Sequence, residues 1–131
     1  MNRRRSIRDE RGQSMVEFVL VLPLLCMLVF GIVQFGILYN NYITITDAAR
    51  VGARKGAVSR TAVNPEGIAE AAARSSASSL NQTKLDVIVT ATAWAPGGDI
   101  TVETSYPYDL KLFGMALVEG DLTSKTTERV E

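Results

Sequence analysis

A chain of 131 residues with zero net charge, one cysteine and no histidine has room for one small domain beside a membrane segment. The missing histidine excludes a Ser-His-Asp or Cys-His catalytic set and any His-containing zinc site, while a single cysteine excludes an intramolecular disulfide and leaves the redox compartment open. The zero balance hides two unlike parts: residues 1–12 carry +3, from five arginines against Asp9 and Glu10, and the rest carries −3, with no patch suited to nucleic acid or anionic lipid.

Behind the arginines stands one long apolar run. Every residue from Val19 to Phe30 is apolar or, at Pro23, uncharged, and the run continues through Gln34 and Gly36 to Leu38. A helix from Met15 to Leu38 would be about 36 Å long at ~1.5 Å per residue, enough to cross a bilayer core of about 30 Å. Lysine and arginine are absent from Gly12 through Ala49, so the positive-inside rule places residues 1–12 in the cytoplasm and the C-terminal part outside. A cleaved secretory signal competes with this reading, but it needs a small-x-small site soon after the run, and Gln34 to Asn40 offers none. An uncut anchor, or processing on the cytoplasmic side, is favoured. Cys26 reads as a small apolar residue within the run.

Glu17 stands about one turn inside the apolar segment, where a carboxylate is costly and asks for a partner. One reading is a capping box: Ser14-Met15-Val16-Glu17 fits S-x-x-E, with Ser14 and Glu17 satisfying free N–H groups at a helix start. The other is a functional carboxylate.

Beyond Tyr39 the helical spacing persists. Ala48, Gly52 and Gly56 line up four apart, as do Ala49, Ala53 and Ala57, a stripe small enough for close helix packing. It can serve association with another subunit or seat the domain's own strands. Continuous helix from Met15 to Ala57 would measure roughly 64 Å. Ser59 to Asn64 is polar, and Asn64-Pro65 opens a second helix to about Leu80 with Asn64 as N-cap, rich in alanine and expected to pack lightly. Leu85–Trp94 and Ile100–Tyr106 form a hairpin across Ala95-Pro96-Gly97-Gly98-Asp99. Pro107 is expected to end the second strand, Tyr108 to Val118 forms an apolar connection, and Leu122–Val130 alternates as a third strand. The carboxylates Asp86, Asp99, Glu103 and Asp121 fit no calcium loop and read as solvated positions. No phosphate loop is present, since Pro96-Gly97-Gly98 joins strands rather than opening a helix.

The fold class is therefore α+β: a long N-terminal helix, half transmembrane and half outside, a short second helix and a small antiparallel sheet of about three strands. The expected division is a basic cytoplasmic leader, 1–12; a transmembrane helix, 13–39; and an extracytoplasmic domain, 40–131, that includes the helix continuation. A domain of roughly 90 residues buries a modest fraction of its surface and is marginal alone, so a partner surface is expected.

Gly12, Glu17 five positions later and Phe18 after it, between a basic leader and an apolar helix, resemble a class III signal, which a prepilin peptidase cuts after the glycine. The stretch from Arg11 to Leu25 is similar to the N-terminal signature of TadE-like proteins, the minor pilin or pseudopilin family of tight-adherence (Tad) pilus systems. Phe30 to Gly36 and Ala48 to Ala57 are similar to further blocks of that family, and Tyr106-Pro107-Tyr108 sits where its strands end. The resemblance implies a non-catalytic protein of a type IVb-like adhesion pilus, without cofactor, metal, nucleic acid or small-molecule substrate. Its implied partners are the inner membrane, prepilin peptidase, other minor and major pilins and the pilus assembly platform. It also implies cleavage between Gly12 and Gln13, and an assembly role for Glu17 and Phe18. Two departures from type IV pilins at large stand out: the new first residue would be Gln13 rather than Phe, and Pro23 comes early. Cleavage would create an α-amino group on Gln13, with an ordinary pKa of about 7.7–8.0, to pair with Glu17. Cyclisation of an N-terminal Gln would remove that charge. The alternative function is an uncleaved, N-in, membrane-anchored binding or sensor module.

Overall fold

A computed structural model describes residues 6–112 and 115–131. Arg3, Arg4 and Arg5 of the basic leader, and Phe113 and Gly114 of the connection expected over 108–118, lie outside the described residues. The chain order is α1 (Ser6–Val58), α2 (Pro65–Ser76), β1 (Asp86–Ala91), β2 (Asp99–Leu112) and β3 (Met115–Arg129). The sheet is antiparallel in the order β1-β2-β3, giving the expected α+β class. By packing, the chain divides into an N-terminal unit to Gly36 and a C-terminal unit, Ile37–Glu131.

In the N-terminal unit α1 presents apolar side chains on every side, all exposed to their surroundings. A helix apolar all round needs the interior of a large protein or a bilayer, and no other part of its own unit covers it. Pro23 lies inside α1 and has no N–H to offer the carbonyl of Val19.

The core of the C-terminal unit is made mainly of small residues. Ala48, Ala49, Ala53 and Ala57 of α1 are buried with Ala69, Ala73 and Ala77, and only Ile45, Ile100, Val102 and Thr104 are large and fully enclosed. Burying each of those three aliphatic side chains contributes about 1.5–3 kcal/mol, so close backbone approach carries much of the packing. Thr104 Oγ1 donates to the carbonyl of Ile45 at 2.8 Å, a tie between sheet and helix inside the core.

α2 starts where its sequence indicates. The Asn64 side chain accepts from the Gly67 N–H at 2.9 Å, with Pro65 in the first turn. It ends at Ser76 rather than near Leu80, and it packs closely rather than lightly: Ala69 and Ala73 are wholly buried. Alanine leaves no side chain to hold the two helix backbones apart. Arg74 then bonds Glu70 at 2.8 Å and the Leu85 carbonyl at 3.0 Å, tying α2 to the start of β1.

The sheet departs most from expectation at Pro107. β1 stops at Ala91, short of Trp94, and the turn before β2 places Gly97 at φ +88°, a conformation glycine tolerates. β2, however, does not end at Pro107 but runs through it to Leu112, and β3 begins at Met115, not at Leu122. β1 begins at Asp86, opposite Ser105, so beyond that point β2 has a strand on one side only. On such an edge a proline's missing N–H can face away from the ladder. The presumed connection is the far half of a long β2–β3 hairpin. Its strands pair from Asp99 with Arg129 to Leu112 with Met115, with a register shift at Leu110/Lys111.

Candidate functional site

Two parts of α1 hold the residues singled out by sequence. The first is the junction at Gly12, in the N-terminal unit. Ser14 and Glu17 lie more than a turn inside α1, which begins at Ser6, so they do not cap a helix start. A capping box needs a non-helical Ser, and here the helix continues back beyond it. Gln13 and Glu17 stand one turn apart, and Gln13 Nε2 donates to Glu17 Oε1 at 3.2 Å. Phe18 projects from the helix with 62% of its surface exposed. A Cβ added at Gly12 would meet nothing within 4 Å. The backbone there is approachable, and the acidic group nearby is held by a neutral amide.

Glu17 is the only charged residue between Gly12 and Thr46. The side chains following it, from Val19 to Phe35, form an apolar surface that includes the exposed thiol of Cys26. Among the described residues one helix is long and apolar enough to cross a membrane, within Gly12–Val58.

The second part is the small-residue stripe, in the C-terminal unit. At Gly52 an added Cβ would lie 2.9 Å from Ala73 Cβ, 3.1 Å from the Ala69 carbonyl oxygen and 3.3 Å from Val102 Cγ1. At Gly56 it would lie 3.1 Å from Ala69 Cβ and 3.4 Å from Ile100 Cγ2. Ala48 is fully buried beside them. The stripe is thus occupied by α2 and β2 of its own chain.

The junction belongs to the N-terminal unit and the stripe to the C-terminal unit. Among the described residues, no three His, Cys, Asp or Glu side chains gather as a metal site. The carboxylates Asp86, Asp99 and Asp121 are exposed, and Glu103 is half-buried. Trp94 and Tyr106 pack against the core, whereas Tyr39 and Tyr42 remain exposed. Lys111 and Asp109 form a 2.5 Å ion pair on β2, and hydrogen bonding to the ammonium holds the Asp109 carboxyl below its ordinary value.

Sequence reasoning missed the hairpin's far half. Its signal was available in the alternation Tyr106, Tyr108, Leu110 on one strand and Leu122, Gly120, Val118 on the other. Those residues face each other in register. Tyr108 lies across Gly120, its hydroxyl 2.9 Å from where a Cβ would stand.

Compared with known proteins, residues 12–54 match a family model described as TadE-like protein. No curated protein and no solved structure matches the chain.

Proposed function

For a chain that carries the TadE-like segment at residues 12–54, we propose a non-catalytic minor pilin or pseudopilin that acts in assembly of a Tad adhesion pilus. The observation that carries this reading is the junction itself: an approachable Gly12 and a lone Glu17 at the head of an all-round apolar helix, inside the matched segment. Residues 1–12 stay in the cytoplasm, the helix to residue 39 crosses the inner membrane, and residues 40–131 lie outside. Prepilin peptidase cuts between Gly12 and Gln13.

The proposed chemistry follows from charge. Cleavage removes the +3 leader and creates an ammonium on Gln13, one helical turn from Glu17. That cation meets the carboxylate of its own or a neighbouring subunit, which offsets the cost of placing both at lipid level and fixes axial register. Phe18 adds an apolar contact beside the pair. Other minor and major pilins and the assembly platform are the partners.

Co-expression with a prepilin peptidase, followed by intact mass, tests the reading. Wild type should lose Met1 to Gly12, and Gly12→Arg should retain them. The open space at Gly12 means that an arginine there leaves the fold intact, so retention reports on cleavage. A wild-type chain that keeps its leader overturns the proposal. Loss of ammonia from the matured chain would show a cyclised Gln13 and refute the ion pair.

A further inference from the structure

The C-terminal unit has two outer surfaces, one of helix and one of sheet, and they carry unlike charge. Ile100, Val102 and Thr104 of β2 lie against Gly56, Gly52 and Ile45 of α1. Successive strand residues point to opposite faces, so Thr101, Glu103 and Ser105 look away from the helix. Their ladder partners on β1 share that side: Thr90, Ile88 and Asp86. Ile88 is 53% exposed there, with Glu103 directly across from it and Asp86 two residues along its own strand. Lys125 pairs with Glu103 from the β3 side, so the part of the face nearest β1 is acidic, with no cation on β1 itself.

The helix surface of the same unit has the opposite sign. α1 buries Ile45, Ala48, Ala49, Ala53 and Ala57, and at helical spacing the stripe turned away from them is Ile43, Asp47, Arg50, Val51, Arg54 and Val58. All six are exposed. Val51 stands 44% exposed between Arg50 and Arg54, and Lys55 adjoins them. Among the described residues the ion pairs are Asp47 with Arg50 at 3.8 Å, Glu70 with Arg74 and Asp109 with Lys111; Arg54, Asp86 and Glu103 form none. Each surface therefore has an exposed aliphatic side chain flanked by two charges of one sign, and the signs are opposite.

We propose that the C-terminal unit packs head to tail on a second copy of this chain, the helix stripe of one copy seated on the outer sheet face of the next. Val51 meets Ile88, while Arg50 and Arg54 meet Asp86 and Glu103. The spacing suits this: Arg50 and Arg54 are one turn apart, about 6 Å along the helix, and Asp86 and Glu103 are diagonal neighbours on the sheet, about 7–8 Å apart. An apolar centre inside a charged rim is the usual anatomy of a protein interface. Because the two surfaces lie on opposite sides of one unit, the contact is heterologous and repeats from copy to copy without closing on itself. The inference concerns residues 37–131 alone and is independent of cleavage at Gly12 and of the membrane reading.

Mild-oxidation cross-linking of the full chain in detergent, in a Cys26→Ala background, tests it. Chains with Val51→Cys are mixed with chains with Ile88→Cys, both exposed positions. The expected product is the mixed 51–88 dimer, with neither chain cross-linking to itself. Arg50→Glu with Arg54→Glu on the first chain should lower the yield by about tenfold or more through like-charge contact. Adding Asp86→Arg with Glu103→Arg on the second chain should restore it, which a merely misfolded variant would not do. Failure to form the mixed dimer overturns the proposal. Dimers of 51 with 51 or of 88 with 88 show a two-fold contact instead and overturn the head-to-tail arrangement. A mixed dimer whose yield ignores the charge reversals overturns the pairing of Arg50 and Arg54 with Asp86 and Glu103.

Discussion

Replacing Gly52 by alanine is the sharpest test of how the C-terminal unit is packed. On an exposed helix the change should stabilise, because alanine is favoured over glycine by about 1 kcal/mol. Here the new methyl would stand 2.9 Å from Ala73 Cβ and 3.1 Å from the Ala69 carbonyl oxygen, against an optimal carbon–carbon separation of about 3.5–4.0 Å. Neither neighbour is the free end of a flexible side chain, so α2 must move outward by roughly half an ångström or more. Overpacking of this kind costs about 1–3 kcal/mol. Set against the propensity gain, Gly52→Ala should destabilise by up to about 2 kcal/mol. Gly56→Ala, whose closest approach is 3.1 Å to a single Cβ, should be near neutral. For a domain of this size each kcal/mol moves Tm by about 4–8 °C. Thermal unfolding of the full chain in detergent, followed by near-ultraviolet dichroism of its single tryptophan, reads the difference. Gly36→Ala, with nothing within 4 Å, is the control. A Gly52→Ala chain as stable as wild type, or more so, would refute the close seating of α2 on α1.

Thr104→Val keeps the shape of the core but removes the 2.8 Å bond to the Ile45 carbonyl; a loss of about 0.5–1.5 kcal/mol is expected by the same thermal assay, and more for Thr104→Ala, which adds a cavity. Asn64→Ala removes the cap of α2 and should cost about 1 kcal/mol, with faster amide exchange in its first turn. Because hydrogen bonding to Lys111 lowers the Asp109 pKa from 3.8, the folded state favours the ionised carboxyl. That contribution is present above the unfolded pKa and lost as pH falls through the folded one. Lys111→Met should therefore raise the Asp109 pKa toward 3.8 when titrated by NMR, with no measurable change in Tm because the pair is exposed.

What the sequence determined by itself is whatever depends on local composition and period. The run from Val19 to Leu38 declares a helix long and apolar enough to cross a membrane because length and composition are local properties, and Asn64-Pro65 announces α2 because capping needs only adjacent residues. Pro96-Gly97-Gly98 marks the first hairpin for the same reason. The tertiary structure decided what depends on neighbours distant in the chain. Ser14 fits a cap only if the helix begins beside it, and it does not. Pro107 breaks a central strand but not an edge, and whether β2 is an edge there depends on where β1 begins. Alanines at 69 and 73 look like a weak apolar face until glycines at 52 and 56 meet them. Spacing alone shows that Ala48, Gly52 and Gly56 admit a close neighbour; only the packed unit shows that α2 and β2 take that place.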